Sequence, residues 1–534
     1  MKSRLDPHLP GAALLLFMAM AVLFLPWLGE ILFNSKGEPR EAIVAVSILQ
    51  SGDWVLPVSY GGDIPYKPPF VAWLTSILAL VFNGGHVNEY LSRLPSALAL
   101  IAMVMGGYVW ARRERGTRFA LIFSFVTFMS VEVFRAAFAA RLDMVLTACM
   151  VGALYLLYGL RRSKCRYRAL RWLGAWVLLS CAALTKGPVG SLLPCFAMGV
   201  YALLCRDRFF PAFFKMLGLA VAALLPLAWW FYAAAEQGGQ HFIDLMIEEN
   251  IGRLTGTMSY DSHVNPFYYN FITIIAGMLP WTLAMLMAAF AWRRRERTPL
   301  KPAGLFALTV AATVIIFYCI PDSKRSVYLL PAYPFIAYAV ASVFYSGAAG
   351  RPVRAFAWVI SVLAIVAPLA LIGLQIWPLP KLPVAPLRWW NYLVIAVPVG
   401  AGVAWIVNRH SPTGHILAMV WAILLCYIAV AAPAVLNPKS DRQYLERIKS
   451  DPSAAVISLD GSPYHRFYTL NFYLGDSIRT VASVEEAARY PAGTVMLVPE
   501  RNDTTGIRRY FDYEPLTKRS CDYREPVGIA IRKQ

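Results

Sequence analysis

The first hydrophilic stretch after the N-terminal apolar run carries carboxylates and cations suited to acid–base chemistry. Residues 37–41 read GEPRE, and a helical pattern follows that ends at Gly52. Carboxylates in the first turn of a helix can simply complement its dipole, which is the alternative role for Glu38 and Glu41. For Glu38 we favour a base or a metal ligand that faces a polar cavity.

Cations near prolines provide candidate phosphate contacts in two places. Lys67 precedes Pro68 and Pro69, which delay the next helix until just after the ammonium. Lys324 and Arg325 form a second basic pair, and arginine offers phosphate two parallel hydrogen bonds. Tyr328, one helical turn further on, can bind the same group or join an aromatic belt. The alternative for the lysines is a side chain that reaches the lipid headgroups.

Three further outer turns contain ionisable side chains. Arg141 and Asp143 are typical of a structural charge pair or of a substrate site. Lys186 lies in a tight turn, where it is either a surface lysine or a donor-phosphate ligand. Asp261 and His263 precede a helix-starting proline, and the histidine is either structural or a cation ligand or proton shuttle.

The composition shows that these turns belong to a membrane protein. The chain of 534 residues is 58% hydrophobic and only 15% charged, with a mean hydropathy of +0.52, which lies outside the range of soluble domains. The formal charge of +19 does not indicate nucleic-acid binding, because many basic residues lie in short loops between apolar runs.

Thirteen apolar runs are long enough to be transmembrane helices. They are Pro10–Phe33, Tyr90–Ala111, Thr117–Phe134, Arg141–Leu160, Ala169–Thr185, Val189–Cys205, Ala212–Ala235, Pro266–Trp292, Ala303–Ile320, Val327–Tyr345, Arg354–Trp377, Trp390–Val407 and Gly414–Leu436. The shorter run Pro69–Phe82 suits an interfacial helix.

The basic loops predict the orientation of these spans. If Pro69–Phe82 lies on the outer surface, the basic clusters near residues 112–115, 161–166, 206–208 and 293–297 share the side of Lys2 and Arg4. The positive-inside rule makes that side the cytoplasm. The first apolar run lacks a small-residue cleavage pattern, so we expect it to be a retained span.

The composition changes at Asn437 to alternating charged and apolar segments. We therefore predict a transmembrane domain over residues 1–436 and a small soluble α/β domain over residues 437–534. Expected strands are Ala454–Leu459, Val495–Val498 and Gly528–Arg532, and the expected helix is Val484–Tyr490. Support of the membrane domain or acceptor docking is its expected role.

The ordered motifs resemble those of the GT-C superfamily of membrane glycosyltransferases, in particular the ArnT-like branch related to protein O-mannosyltransferases. The resemblance spans about residues 10 to 345. The matching segments are residues 37–42 (GEPREA), 50–54 (QSGDW), 66–68 (YKP), 141–143 (RLD), 185–187 (TKG), His263 with 266–269 (PFYY), 278–281 (MLPW) and 323–331 (SKRSVYLLP).

This resemblance implies a polytopic helical fold of about thirteen spans with outer interfacial helices. It also implies inverting transfer of a sugar from a polyprenyl-phosphate carrier to an acceptor outside the cytoplasmic membrane. Glu38 would be catalytic, and the donor phosphate would contact Lys67, Lys186, Lys324, Arg325 and Tyr328. Further candidates for the substrate site are Arg40, Glu41, Tyr66, Arg141 and Asp143.

Two departures from the family pattern concern a metal site. ArnT-like proteins usually have aspartate where this chain has Gly37, and glutamate where it has Tyr66. His263 matches a family metal ligand, so the resemblance implies a divalent cation such as Zn²⁺, Mg²⁺ or Mn²⁺. Its other ligands here would be Asp261, Glu38 or water.

The predicted protein is therefore a monomeric glycosyltransferase of the bacterial cytoplasmic membrane, with a cytoplasmic N-terminus and a periplasmic C-terminal domain. Its partners would be a polyprenyl-phosphate sugar and a lipid, glycan or protein acceptor such as lipid A. The alternatives are a secondary transporter or lipid flippase and a non-catalytic envelope-assembly scaffold. Charges at the outer mouth of the spans, rather than at mid-membrane, favour the enzyme.

Overall fold

The apolar runs of the sequence form helices throughout the computed structural model. The structure describes residues 11–60, 62–65, 67–161, 167–249, 264–293, 301–346, 350–380, 383–448, 454–459, 466–499, 506–523 and 526–533. The helices before the tail are α1 (Ala12–Phe24), α2 (Gly37–Ser51), α3 (Phe70–Asn83), α4 (Glu89–Arg115), α5 (Thr117–Phe128), α6 (Val131–Ala137), α7 (Leu142–Leu160), α8 (Arg168–Lys186), α9 (Val189–Leu204), α10 (Phe209–Ile247), α11 (Tyr269–Gly277), α12 (Thr282–Arg293), α13 (Pro302–Cys319), α14 (Tyr333–Ser346), α15 (Gly350–Ile376), α16 (Trp389–Val407), α17 (Pro412–Cys426) and α18 (Ala432–Leu436).

Each of the thirteen predicted apolar segments is helical, but fewer are of membrane length. Eight helical segments of the described ranges have the length and composition to cross a membrane, and α5 with α6, bent by 69°, is a ninth candidate. Three other predicted spans lack either the length or the apolar composition. Helices α1 and α9 have only 13 and 16 residues, and α8 contains the charged residues Arg168, Arg171 and Lys186. The expected span Pro266–Trp292 is divided into α11 and α12 at Pro280, which cannot donate a helical hydrogen bond.

Two interruptions in the bundle contact each other. The break between α5 and α6 and the break between α11 and α12 meet where the amide of Val131 donates to the carbonyl of Leu279 at 3.0 Å. Polar main-chain groups that are freed where a helix breaks need other partners. This hydrogen bond gives each of the two breaks one such partner.

The first loop contains two packed helices, as the sequence predicts. α2 ends where Gly52 adopts φ 73°, and α3 ends at Gly84 with φ 57°, a conformation that glycine adopts without steric cost. Ala45, Ile48 and Ala72 form their apolar contact. This pair of helices supports the site described below.

The tail forms a mixed five-stranded sheet, which confirms the predicted α/β character. Its strands are β1 (Val456–Leu459), β2 (Arg479–Val481), β3 (Val495–Pro499), β4 (Phe511–Arg519) and β5 (Pro526–Arg532), and its helices are α19 (Leu445–Ile448), α20 (Tyr468–Tyr473), α21 (Val484–Ala487) and α22 (Ile507–Tyr510). The strand order is β2-β1-β3-β5-β4, with β1 parallel to β2 and β3, and β5 antiparallel to β3 and β4. The sequence patterns missed β2, β4, α19, α20 and α22. The domain boundary after residue 436 stays a prediction.

The tail packs directly on the first loop. Asp476 accepts hydrogen bonds from the Ser47 hydroxyl at 2.9 Å and from the Tyr60 amide at 2.8 Å. The Phe33 and Phe472 rings lie 4.8 Å apart, edge to face. Helix α2 is therefore held between the membrane bundle and the tail.

Candidate active site

The candidate site lies where several helix ends meet at one end of the bundle. Helices α7 and α8 run antiparallel, so the start of α7 with Arg141 and Asp143 lies beside the end of α8 with Lys186. Helix α2 contributes Glu41, and the segment before α3 contributes Lys67. Four of the predicted first-loop and outer-turn residues are thereby placed in two adjacent ion pairs.

The first pair joins Glu41 to Lys67. The Lys67 ammonium donates to Oε1 of Glu41, and an Arg40 nitrogen lies 3.4 Å from the same oxygen. Both partners line a small cavity of about 30 Å³, together with Ser92 and Ala140. Burial raises the pKa of Glu41, but Lys67, Arg40 and then Arg141 outweigh it and hold the pKa at about 2. Glu41 is therefore ionised in this state.

The second pair joins Asp143 to Lys186. The Lys186 ammonium donates to Oδ1 of Asp143 at 2.6 Å, and Nε of Arg141 lies 3.6 Å from Oδ2. The Lys186 nitrogen also lies 4.3 Å from the centre of the Tyr328 ring, within cation–π range. Tyr328 belongs to a 3₁₀ helix, Ser326–Ala332, so the structure brings this predicted residue to Lys186.

Arg141 connects the two pairs, because it acts electrostatically on Glu41 and lies close to Asp143. Its guanidinium also lies against Gly37: a Cβ atom at that position would come within 2.6 Å of Nη1 of Arg141. The absence of a side chain at residue 37 therefore has a structural explanation. At residue 37, where ArnT-like proteins usually have an aspartate, this chain has no side chain, and the guanidinium of Arg141 occupies the space.

Glu38 makes contacts of a different kind. Its two oxygens accept from Nε and Nη2 of Arg93 at 2.8 and 3.0 Å, and Oε1 also accepts from the Ala140 amide at 2.9 Å. Arg93 is 2% exposed, and its Nη1 donates to the carbonyls of Leu28 and Ile31. These contacts favour a positioning role for Glu38, and its predicted role as a base stays a prediction.

Arg93 was missed by the sequence reasoning. The signal that could have found it is a charged side chain four residues after Glu89, inside a run otherwise apolar enough to span the bilayer. Such residues are rare and usually paired. Glu89 accepts a hydrogen bond from the Tyr473 hydroxyl at 2.7 Å. A buried charged residue of α4 therefore also contacts the tail.

The contacts of Lys324 differ from the phosphate contact that the sequence suggests. Its ammonium donates to the Pro321 carbonyl at 2.6 Å, and the residue is 3% exposed. For Arg325, the described part of the chain shows no side-chain hydrogen bond or ion pair. Nothing described links either residue to Lys67, so their donor-phosphate contacts stay predictions.

The predicted metal ligands Asp261 and His263, and also Tyr66, lie outside the described residues. Within the described site, Glu41 and Asp143 each accept from an ammonium, and Glu38 accepts from Arg93. Each of these carboxylates is thus already paired with a cationic side chain, which a divalent cation would have to displace or share. Metal binding by residues 261 and 263 stays a prediction.

Comparisons with known proteins find a family and several relatives that this chain resembles in sequence. Residues 66–232 match the family described as dolichyl-phosphate-mannose-protein mannosyltransferase. An undecaprenyl phosphate-alpha-4-amino-4-deoxy-L-arabinose arabinosyl transferase of Proteus mirabilis is 28% identical over 332 residues, covering 60% of this chain and 57% of that protein. A protein of Aquifex aeolicus with no assigned function is 29% identical over 363 residues, covering 66% of this chain and 68% of that protein.

The fold has a close counterpart among solved structures. The crystal structure of ArnT from Cupriavidus metallidurans bound to undecaprenyl phosphate superposes with a TM-score of 0.75, at 20% identity, over 98% of both chains. This likeness establishes the shared fold. Together with the sequence matches, it supports the resemblance of this chain to the ArnT-like glycosyltransferases of the GT-C superfamily.

Proposed function

We propose that this protein transfers a sugar, with inversion, from undecaprenyl phosphate to an envelope acceptor such as lipid A, another glycan or a protein. The reaction would take place at the outer face of the bacterial inner membrane, with the N-terminus in the cytoplasm and the tail in the periplasm. The names of the Proteus relative and of the Cupriavidus structure support this carrier. The basic loops support the orientation.

The observation that carries the proposal is the charge of the site. In the part of the chain that the structure describes, Arg40, Lys67, Arg141 and Lys186 surround two carboxylates, Glu41 and Asp143, in two linked ion pairs. Among these six described side chains, the four cations leave a formal excess of two positive charges. Such an excess at one end of a membrane bundle suits a phosphate group whose negative charge grows during reaction.

The transfer creates that growing charge. An acceptor oxygen attacks the anomeric carbon, and the bond between that carbon and the carrier phosphate oxygen breaks. The bonding electrons remain on the phosphate, so a monoanionic diester becomes a more highly charged monoester. Lys67 and Lys186 would bind this leaving group, and Arg141 would lie between them.

Binding of the donor also changes the basicity of Glu41. Lys67 is the cation in direct contact with Glu41 and is one of the groups that hold its pKa at about 2. A donor phosphate that binds the Lys67 ammonium would weaken the ion pair between Lys67 and Glu41 and so raise the pKa of Glu41. We therefore propose Glu41 as the base for a hydroxyl acceptor, with Glu38 holding α2 in place. A phosphate acceptor is already anionic and needs no base.

A transfer assay in liposomes tests the proposal. The purified protein is given a radiolabelled polyprenyl-phosphate sugar together with lipid A, a glycan or a protein acceptor. A glycosyltransferase yields a new labelled product, whereas a transporter, flippase or scaffold yields none. The Lys186→Met variant should lose at least a hundredfold in kcat, because a preorganised charge contact to the leaving phosphate is removed.

Lys301→Met is the matched control, since it removes an exposed lysine at the other end of the bundle, next to Pro302, whose carbonyl accepts from Tyr201. Equal activity of wild type and Lys186→Met would refute the assigned role of Lys186. Absence of product with every acceptor class would refute the proposed function.

A further inference from the structure

A second cavity opens at the end of the bundle opposite the candidate active site. It has a volume of about 470 Å³ and lies where the ends of α7 and α9 meet the starts of α8 and α10. Helix α7 extends 19 residues from Leu142, beside Asp143, to Leu160 at this cavity. That length corresponds to about 28 Å. A molecule bound here therefore cannot touch the reacting groups.

The rim of this cavity carries an organised positive charge. Arg161 forms a two-pronged ion pair with Asp207, with Nη2 to Oδ1 at 2.9 Å, and its guanidinium lies over the Tyr201 ring. The hydrogen bond from Arg161, together with its charge and that of Lys215, lowers the pKa of Asp207. This pair fixes one edge of the cavity.

Three further cations surround the cavity, namely Arg168, Arg208 and Lys215. All three are exposed, and none forms an ion pair with a carboxylate in the described ranges. Among the described residues, Asp207 is the one acidic residue that lines the cavity. The rim consequently keeps a formal excess of three positive charges, which is complementary to an anionic group.

The walls of the cavity are apolar, and so is the adjoining surface. Leu157, Trp172 and Met198 line the interior. Outside it, the Phe209 and Phe213 rings stack with centres 5.7 Å apart and are 52% and 46% exposed. An apolar wall continuous with an exposed aromatic face is typical of a surface in contact with acyl chains.

We propose that this cavity binds one anionic phospholipid, with its phosphate on Arg168, Arg208 and Lys215 and its acyl chains along the aromatic face. Basic pockets between transmembrane helices bind such headgroups. Positive-inside charge alone would not require a cavity with a fixed ion pair. Arg112 and Arg113, which are exposed at the same end of the bundle, line neither of the two cavities described here.

Lipid binding to the full-length protein in detergent tests the proposal. Native mass spectrometry would measure affinity for phosphatidylglycerol, cardiolipin and phosphatidylcholine. In the Arg168→Gln/Lys215→Gln variant we expect affinity for the two anionic lipids to fall about thirtyfold, the equivalent of about 2 kcal/mol for two cations near a headgroup. Phosphatidylcholine binding should not change.

Arg112→Gln/Arg113→Gln is the matched control and should bind all lipids as the wild type does. Arg208→Gln alone provides a second, milder variant, and a melting temperature equal to wild type in phosphatidylcholine would show that each variant is folded. Equal loss in the control pair, or no loss in either cavity variant, would overturn the proposal. It would also be overturned if inorganic phosphate alone competed as well as the whole lipid.

Discussion

The pair Glu38–Arg93 offers the sharpest test of which carboxylate acts in the chemistry. Glu38 accepts two charge-assisted hydrogen bonds from Arg93, at 2.8 and 3.0 Å, and Arg93 is 2% exposed. Removing one partner of a buried ion pair costs about 3–5 kcal/mol, because the other charge stays buried without compensation. We therefore expect both Glu38→Gln and Arg93→Gln to lower the melting temperature strongly.

The double variant separates a positioning role from catalysis. With both charges removed, two neutral amides can hydrogen-bond each other, so the combined loss should fall short of the sum of the single losses by about 3 kcal/mol. If Glu38 only positions α2, the double variant should also recover transfer activity relative to Glu38→Gln. If Glu38 is the base, the double variant should be as inactive as Glu38→Gln.

Melting temperatures in detergent and the liposome transfer assay provide the two readouts. The matched control is the exposed pair Arg447–Glu514 in the tail, whose side chains are 49% and 64% exposed. Its double-variant cycle should show a coupling of less than about 1 kcal/mol. Strictly additive losses for Glu38 and Arg93, without recovery of activity, would refute the positioning role.

Three further predictions concern packing and pH. Gly37→Ala should lower kcat about tenfold to a hundredfold with little change in melting temperature, because its Cβ displaces the Arg141 guanidinium; unchanged steady-state kinetics would contradict this. Asp476→Ala should increase hydrogen–deuterium exchange in residues 37–51 and 468–476, since it removes the buried acceptor between α2 and the tail; unchanged exchange in both segments would argue against this coupling. Burial, and then Asp441, raise the pKa of Asp522 to about 8. The folded state thus holds a proton that the unfolded state releases near pH 4, and stability should fall as pH rises from about 4 to 8. Asp522→Asn should flatten this dependence of the melting temperature, and a slope equal to wild type would count against it.

Much of the site could be predicted from residue type and topology. Lys67, Arg141, Asp143 and Lys186 are ionisable residues at the ends of apolar runs, and charges there are too costly to be incidental. The ion pair of Arg141 with Asp143 was one of the two predicted alternatives and is present, but the partners of Lys67 and Lys186 could not be predicted. Lys186 lies 43 positions from Asp143, and Lys67 lies 26 positions from Glu41, so only the packing of the helices decides which carboxylate meets which cation.

The sequence patterns also failed for identifiable physical reasons. They could not separate the roles of Glu38 and Glu41, because both occupy the first part of one amphipathic helix and periodicity does not reveal which neighbour each will meet. Arg93 lies in a run of membrane length and was therefore counted with the span. The short strand β2, with three residues, has too little pattern to be recognised.

The amino-acid sequence by itself determined the membrane class, the positions of the helical segments, the change of composition at Asn437 and the ArnT-like motifs. These follow from local hydropathy and from short residue patterns, which need no knowledge of distant contacts. Tertiary structure alone decided that Arg93 forms an ion pair with Glu38, that the guanidinium of Arg141 packs against Gly37 and that the tail packs on α2. Each of these is a contact between segments far apart in the chain, and the free energy of such a contact exists only once the helices are assembled.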